Sequence, residues 1–347
     1  MVVRPEHTDP RRATPPTLEV VAARAGVSRA TAGRVLAGAH NVSEAARDAV
    51  LRAAEETAYT PNRAARSLVT RRSDSIAFLV SENEDRLFGD PFFSRMLRGA
   101  HAELASAGKQ LVFVIASSPT ELSQFLHYAG GGHVDGVLLI SLHGDDRLPQ
   151  DLARIGVPTV LSGRPFSGDP ELFYVDSDNR GGARTATELL IARGCRRVAT
   201  ITGPQDMCAG IDRLDGYRDA LADAGRRTAK RLIVGGDFTA GGGADAMTRL
   251  LRHAPDIDGV FVASDLMAMG AVQALNEHGR KVPDDVAVVG FDDLRDAAST
   301  APPLTTMRQQ VEALGRLMAQ SLLRLTAGES IQHAQVLPVE TVRRLSA

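Results

Sequence analysis

The chain has no tryptophan, two cysteines and three lysines among 347 residues, and aromatics make up 4% of it. Cys195 and Cys208 form neither a CxxC pair nor a cluster at metal-ligand spacing. That argues against a disulfide framework or thiolate metal site and fits a reducing compartment. No apolar run approaches the roughly 18 residues that cross a bilayer, so no membrane partner is expected. The opening residues alternate charge and proline without an apolar h-region; no export signal is read there, and a cytoplasmic protein is expected. Also missing are a GxGxxG after a strand, a P-loop, an HExxH and a GxSxG elbow. His101, His127 and His133 lack partners at metal spacing and read as solvated surface. No enzyme, cofactor or metal site is expected.

What is present is unevenly spread. At this length about two to three domains are favoured. Net charge is −2, yet residues 1–72 hold 12 Arg against 7 Asp and Glu, a balance of +5 that leaves −7 for the rest. A basic head on an acidic body is expected when only the head meets phosphate.

Residues 1–16 read as a disordered arm. From Thr17, a good N-cap, Leu18, Val21, Ala22 and Ala25 recur at helical spacing. Gly26 follows where a tight turn needs positive φ, Val27 plugs the turn, and Ser28 caps a second helix from Arg29 to about Leu36. Two short helices joined by Ala-Gly-Val-Ser form a helix-turn-helix, or else a generic helical hairpin. Its second helix offers Arg29, Ala30, Thr31 and Arg34 to a major groove. Ser43 caps a third helix whose apolar positions are Ala46, Val50, Leu51 and Ala54. The headpiece is placed at 17–60, with a hinge helix and linker at 61–74. The helix from Asn62 to Val69, with Ala65 and Leu68 on one face and Arg63 and Arg66 nearby, is too short to stand alone in water.

This stretch resembles the headpiece and hinge of the LacI family of bacterial transcription regulators. The matching residues are Thr17-Leu18, Val21-Ala22, Ala25-Gly26-Val27-Ser28, Thr31, Arg34-Val35-Leu36, Val42-Ser43, Tyr59, Pro61-Asn62 and Ala65-Arg66-Ser67-Leu68. Ala32-Gly33 and Ala37 depart from the usual family residues; Gly33 costs about 1 kcal/mol of helix propensity relative to Ala. The resemblance implies binding to double-stranded operator DNA through Thr17, Ser28, Arg29, Ala30, Thr31, Arg34, Asn41, Tyr59, Asn62, Ala65, Arg66 and Leu68. Leu68 is then a minor-groove wedge.

Beyond Ser75, short apolar runs alternate with helical stretches. Ile76–Val80, Leu111–Ile115, Gly136–Ile140, Thr159–Leu161, Val198–Ile201, Gly259–Val262 and Val286–Val289 read as buried parallel strands. Pro91–Gly108, Gly182–Arg193, Ile211–Gly225, Gly241–His253 and Leu266–Gly279 read as helices, although the Gly130 and Gly241 triplets look like flexible turns. The pattern describes an α/β body of two doubly wound lobes at 75–347, with ligand chemistry at the carboxyl ends of strands.

This body is similar to the family's periplasmic-binding-protein-like sensor through Asp90-Pro-Phe-Phe93, Val134-Asp-Gly136, Val175-Asp-Ser-Asp-Asn179, Arg213-Leu-Asp-Gly-Tyr217, Gly236-Asp-Phe238, Ser264-Asp265 and Val289-Gly-Phe-Asp-Asp293. The resemblance implies a small-molecule effector cleft lined by Asp90, Phe92, Phe93, Arg213, Phe238, Ser264, Asp265 and Asp292. Carboxylates accept from paired sugar hydroxyls and a forked Arg donates to them, while aromatic rings cover an apolar sugar face. For Asp265 and Asp292 the alternative role is a helix-start cap. Phe92 and Phe93 diverge in a helix, and the alternative for one of them is a place in the core. Purine-binding members carry a second Arg six positions before the one matching Arg213; Met207 stands there, which favours a sugar-like effector. An exported sugar-binding protein with the same lobes has no use for residues 17–68. The resemblance further implies a homodimer, not a tetramer, since the chain stops at Ala347 without a heptad tail. It also implies an effector that weakens operator binding, a corepressor being the alternative.

Overall fold

The computed structural model describes residues 16–36, 39, 41–60, 72–144 and 146–347. It divides between Ser73 and Asp74 into two compact units. The arm and the hinge residues Asn62, Ala65, Arg66 and Leu68 lie outside the described residues, as does Ala37.

The first unit holds α1 (Leu18–Arg24), α2 (Arg29–Leu36) and α3 (Glu44–Glu56). Gly26 takes φ +66° between α1 and α2, the left-handed turn that glycine adopts without a Cβ penalty. Ser28 Oγ accepts from the Thr31 amide at 3.1 Å and Ser43 Oγ from Ala46 at 3.4 Å. Thr17 stands at the N-cap of α1 but makes no side-chain capping bond. Val21, Ala22, Ala32, Val35, Val50 and Ala53 form the core, with Val27 and Tyr59 packed against it. Leu51, expected inside, is 50% exposed; Val50, as expected, and Ala53, three residues on, are the buried residues of α3.

The second unit has two lobes. The N-terminal lobe carries β1 (Ser75–Val80), β2 (Gln110–Ile115), β3 (Gly136–Ile140), β4 (Thr159–Ser162), β5 (Phe173–Ser177) and β11 (Ala334–Leu337). They form a parallel sheet in the order β11-β5-β4-β3-β1-β2. Along β1, Ile76, Phe78 and Val80 join one buried cluster and Ala77 and Leu79 another. That is the period-2 signature of a strand covered on both faces. The covering helices include α4 (Glu84–Gly89), α5 (Pro91–Ser106), α6 (Pro119–Gly130), α7 (Leu148–Arg154) and α12 (Val311–Thr326).

The C-terminal lobe carries β6 (Val198–Thr202), β7 (Ile233–Gly235), β8 (Gly259–Val262), β9 (Ala287–Asp292), β10 (Thr305–Arg308) and β12 (Glu340–Val342). Their order is β12-β10-β9-β8-β6-β7. The terminal strand β12, which is not among the seven expected strands, runs antiparallel to β10. Its helices are α8 (Asn179–Ala192), α9 (Cys208–Asp223), α10 (Ala240–His253) and α11 (Asp265–Glu277).

Gly241, Gly242 and Gly243 are not a flexible turn but the first turn of α10. A Cβ at Gly243 would strike the Met267 backbone, so this glycine lets α10 and α11 approach closely. The chain passes between lobes three times, from β5 to α8, β10 to α12 and β11 to β12. Two of these crossings are tied where the Asp178 amide donates to the Leu337 carbonyl at 2.9 Å.

Candidate effector cleft and DNA-facing helix

On α2, Ala32 and Val35 face the core while Arg29, Ala30 and Arg34 are exposed. The helix therefore presents two arginines, with Ala30 beside them, on its outward face. Arg29 pairs with Glu19 at 2.7 Å, both side chains being more than half exposed. Such a pair is weak and easily exchanged for phosphate. Arg34 reaches Thr31 Oγ1 at 3.4 Å. Asn41 is exposed beyond α2, and Tyr59 is half-buried against the head core.

The cleft of the second unit has an empty volume of about 840 Å³, counting open solvent at its mouth. Both lobes line it from the carboxyl ends of their strands, the place where doubly wound sheets bind ligands. Its centre is Arg213 on α9, 5% exposed. Arg213 Nε donates to Asn179 Oδ1 at 2.9 Å and one terminal nitrogen donates to the Ala263 carbonyl at 2.5 Å. The same nitrogen lies 3.6 Å from Asp292 Oδ1. The guanidinium sits 3.9 Å from the Phe291 ring centroid and 5.7 Å from that of Phe238. Burial pulls its pKa below the ordinary arginine value, against the neighbouring carboxylates that raise it.

Asp292 ends β9 with φ +118°, and Asp293 follows at φ +52°. Strained backbone of this kind persists where the surroundings over-determine it, and it concentrates at functional sites. Gln309 Nε2 donates to Asp292 Oδ1 at 2.6 Å. Burial pushes the Asp292 carboxyl up to about 6, against the pull of Arg213. Asp176 on β5 is likewise pushed up to about 6 by burial, although it accepts from the Arg164 and Ser177 amides.

Of the eight anticipated residues, Asp90, Phe92, Arg213, Phe238, Ser264 and Asp292 are in the lining. Two are not. Phe93 is 2% exposed and packs in the N-terminal lobe core; its ring meets Phe92 edge-on at 5.6 Å, so the diverging pair divides its work. Asp265 is fully buried and accepts from the Leu294 amide at 2.8 Å and Thr306 Oγ1 at 2.6 Å. It ties the loop after β9, and β10, to α11 rather than facing the cleft. Some lining residues also have structural duties: Asp90 caps α5 through the Phe92 amide at 2.9 Å, and Ser264 caps α11 through Met267 at 3.3 Å.

Several cleft residues went unassigned in the sequence. Asn179 and Asp176 sit inside a quoted motif, and Gln309 just follows β10. Arg164, after β4, makes a bidentate pair with Asp212 of α9 at 2.9 and 2.7 Å, joining the lobes. His143, after β3, bonds Glu82 at 2.9 Å and Asp206 of the other lobe at 2.8 Å. Its pKa is raised by the bond to Glu82, against desolvation.

Residues 17–62 match the bacterial regulatory proteins of the lacI family, and 187–347 match a periplasmic binding protein-like domain. The HTH-type transcriptional regulator CelR of Thermobifida fusca is 51% identical over 91% of this chain and 94% of its own length. The chain belongs to the LacI family. It is a helix-turn-helix transcriptional regulator. The ribose operon repressor of Escherichia coli K12 is 34% identical over 92% of this chain and 96% of its own. A solved complex of CelR with cellobiose covers 96% of this chain and 100% of its own, with TM-score 0.78 and 47% identity. The lac repressor dimer bound to operator and the anti-inducer ONPF covers 96% and 99%, with TM-score 0.83 and 27% identity. These LacI-family relatives are transcriptional regulators, not enzymes. Among the described residues no helix is long and apolar enough to cross a membrane.

Proposed function

We propose that this regulator is a homodimeric repressor whose operator affinity is lowered by a sugar bound in the cleft, cellobiose being the first ligand to test. The observation that carries the reading is the cluster around Arg213. A buried guanidinium stacked on Phe291 holds Asn179 and approaches Asp292, which Gln309 also fixes. Such an array donates to and accepts from adjacent hydroxyls, while Phe92 and Phe238 in the same lining cover an apolar sugar face. The likeness to CelR, solved with cellobiose, is the reason to test a disaccharide first.

On DNA, Arg29, Ala30 and Thr31 read major-groove edges, while Arg34, Thr17 and Asn41 meet phosphate. Ser28 holds the start of α2 and Tyr59 braces the head core. Leu68 wedges into the minor groove, and Asn62, Ala65 and Arg66 contribute further DNA contacts. Pairing of two copies supplies the second half-site. The edge strand β2 favours such pairing, since its Phe113 is 40% exposed on an open sheet edge.

A thermal-shift series with cellobiose, ribose and hypoxanthine tests the ligand. Cellobiose is expected to raise the melting temperature by mass action. A shift with hypoxanthine and none with either sugar overturns the reading.

A further inference from the structure

Arg86 lies on α4 in the N-terminal lobe and lines the cleft, with only 11% of its side chain exposed. It is held on every side. Glu82 pairs with it one helical turn back, and a terminal nitrogen contacts Met207 Sδ of the other lobe at 3.4 Å. Its guanidinium lies 5.8 Å from the Phe93 centroid and 5.1 Å from that of Phe238. Glu82 is itself fixed by Ser141 Oγ at 2.6 Å and His143 Nε2 at 2.9 Å. These contacts, two of them to the other lobe, hold the side chain as long as the lobes keep this arrangement.

Yet Arg86 Nε has none. It is one of four buried side-chain polar atoms without a hydrogen bond among the described residues, and the one whose residue lines this cleft. An orphaned donor on a charged group is costly when buried, and a ligand oxygen removes that cost. Met207 stands six positions before Arg213, where a second arginine is absent from the sequence. A second guanidinium is nevertheless there, delivered from the opposite lobe against that same methionine.

The charges define the ligand further. Arg86 faces Glu82, Arg164 faces Asp212 and Arg213 faces Asp292. Every guanidinium in the lining thus has its carboxylate, and Asp90 and Asp176 add two more acids. No cation is left to reward a phosphate or carboxylate on the ligand.

We propose that Arg86 contacts the effector directly, its Nε–H donating to a hydroxyl or ring oxygen of a neutral sugar. This bond comes from the N-terminal lobe, opposite those from Arg213 and Asp292. Arg86 also touches Met207 and Phe238, so a shift of the lobes around the ligand frees its Nε–H to make this bond, and the bond rewards that shift. The inference rests on the sugar reading above.

Isothermal titration with cellobiose compares the wild type with Arg86→Lys and Arg86→Met. Lysine keeps a cation opposite Glu82 but lacks the Nε donor, so a residue that merely holds Glu82 in place would tolerate it. Both variants are expected to bind at least about tenfold more weakly. Arg86→Lys should still melt in one cooperative ligand-free transition, which shows that it folds. Arg86→Lys binding cellobiose within twofold of wild type overturns the role of Arg86 and leaves the sugar reading standing. Wild type that binds neither cellobiose nor any of a panel of neutral mono- and disaccharides removes both. Glucose 6-phosphate and glucuronate are expected not to bind, and tighter binding of either than of cellobiose refutes the neutral ligand.

Discussion

The head and the sensor use polar side chains in opposite ways. In the head they stand outside a small core of Ala and Val, and Arg24 and Arg29 are exposed and weakly paired. In the sensor cleft they are inside: Arg213, Asp292, Asn179 and Gln309 are each less than 9% exposed and bonded to one another. DNA brings its own charge and water to an open face, whereas a small uncharged ligand is recognised by dipoles fixed beforehand in a dry place. Polar substitutions should therefore be cheap for folding in the head and expensive in the cleft.

The largest expected effect is Arg213→Ala. It leaves Asn179 and Asp292 buried without their partner, and breaking such a pair costs about 3–5 kcal/mol. Calorimetry should show a markedly lower sensor melting temperature together with loss of the ligand response. Arg29→Ala is its counterpart, expected to weaken operator binding in a gel-shift titration while melting within a degree or so of wild type. If Arg213→Ala melts like wild type, the contrast between the two regions fails.

A pH series sharpens the contrast. The folded-state pKa of Asp176, about 6, lies above its ordinary value of 3.8. The native state therefore binds this proton more tightly. The stability it contributes is fully present below about pH 4 and lost as pH rises through about 6. His143, raised by Glu82, acts in the same direction. The sensor transition of the ligand-free protein should move upward as pH falls from 7.5 to 5.5, and Asp176→Asn should flatten that slope. A transition that falls over this range would contradict the assignment.

Smaller effects belong to the head. Gly26→Ala places a Cβ in open space but at φ +66°, a pure backbone penalty of about 1–2 kcal/mol. Circular dichroism of the isolated transition should register it. Leu51→Ser, at an exposed position, should change stability by no more than about 0.5 kcal/mol.

Much of this was readable because local chemistry and global fold agree. The Gly26 turn, the Ser28 and Ser43 caps and the seven apolar strands carry their signals within a few residues. The parts that escaped have mixed or distant causes. Strand β5 reads Phe-Tyr-Val-Asp-Ser and β10 reads Thr-Thr-Met-Arg, too polar to stand out, so Asp176 and Gln309 at their ends escaped too. The role of Asp265 depends on Thr306, 41 residues away, and no spacing rule exposes such a partner. Arg86 sits in a six-residue helix, too short for periodicity, and only the fold brings it against Met207, 121 residues on.

The central claim is that a sugar in the cleft and operator on the head oppose each other. Linkage makes that reciprocal: whatever the sugar does to operator affinity, operator must do to sugar affinity by the same factor. Titrating cellobiose into the regulator with and without saturating operator measures it directly. The expected result is a dissociation constant higher on operator by about 5–150-fold, the usual range of such coupling. Equal constants would contradict the coupling, and a lower constant on operator would make the sugar a corepressor.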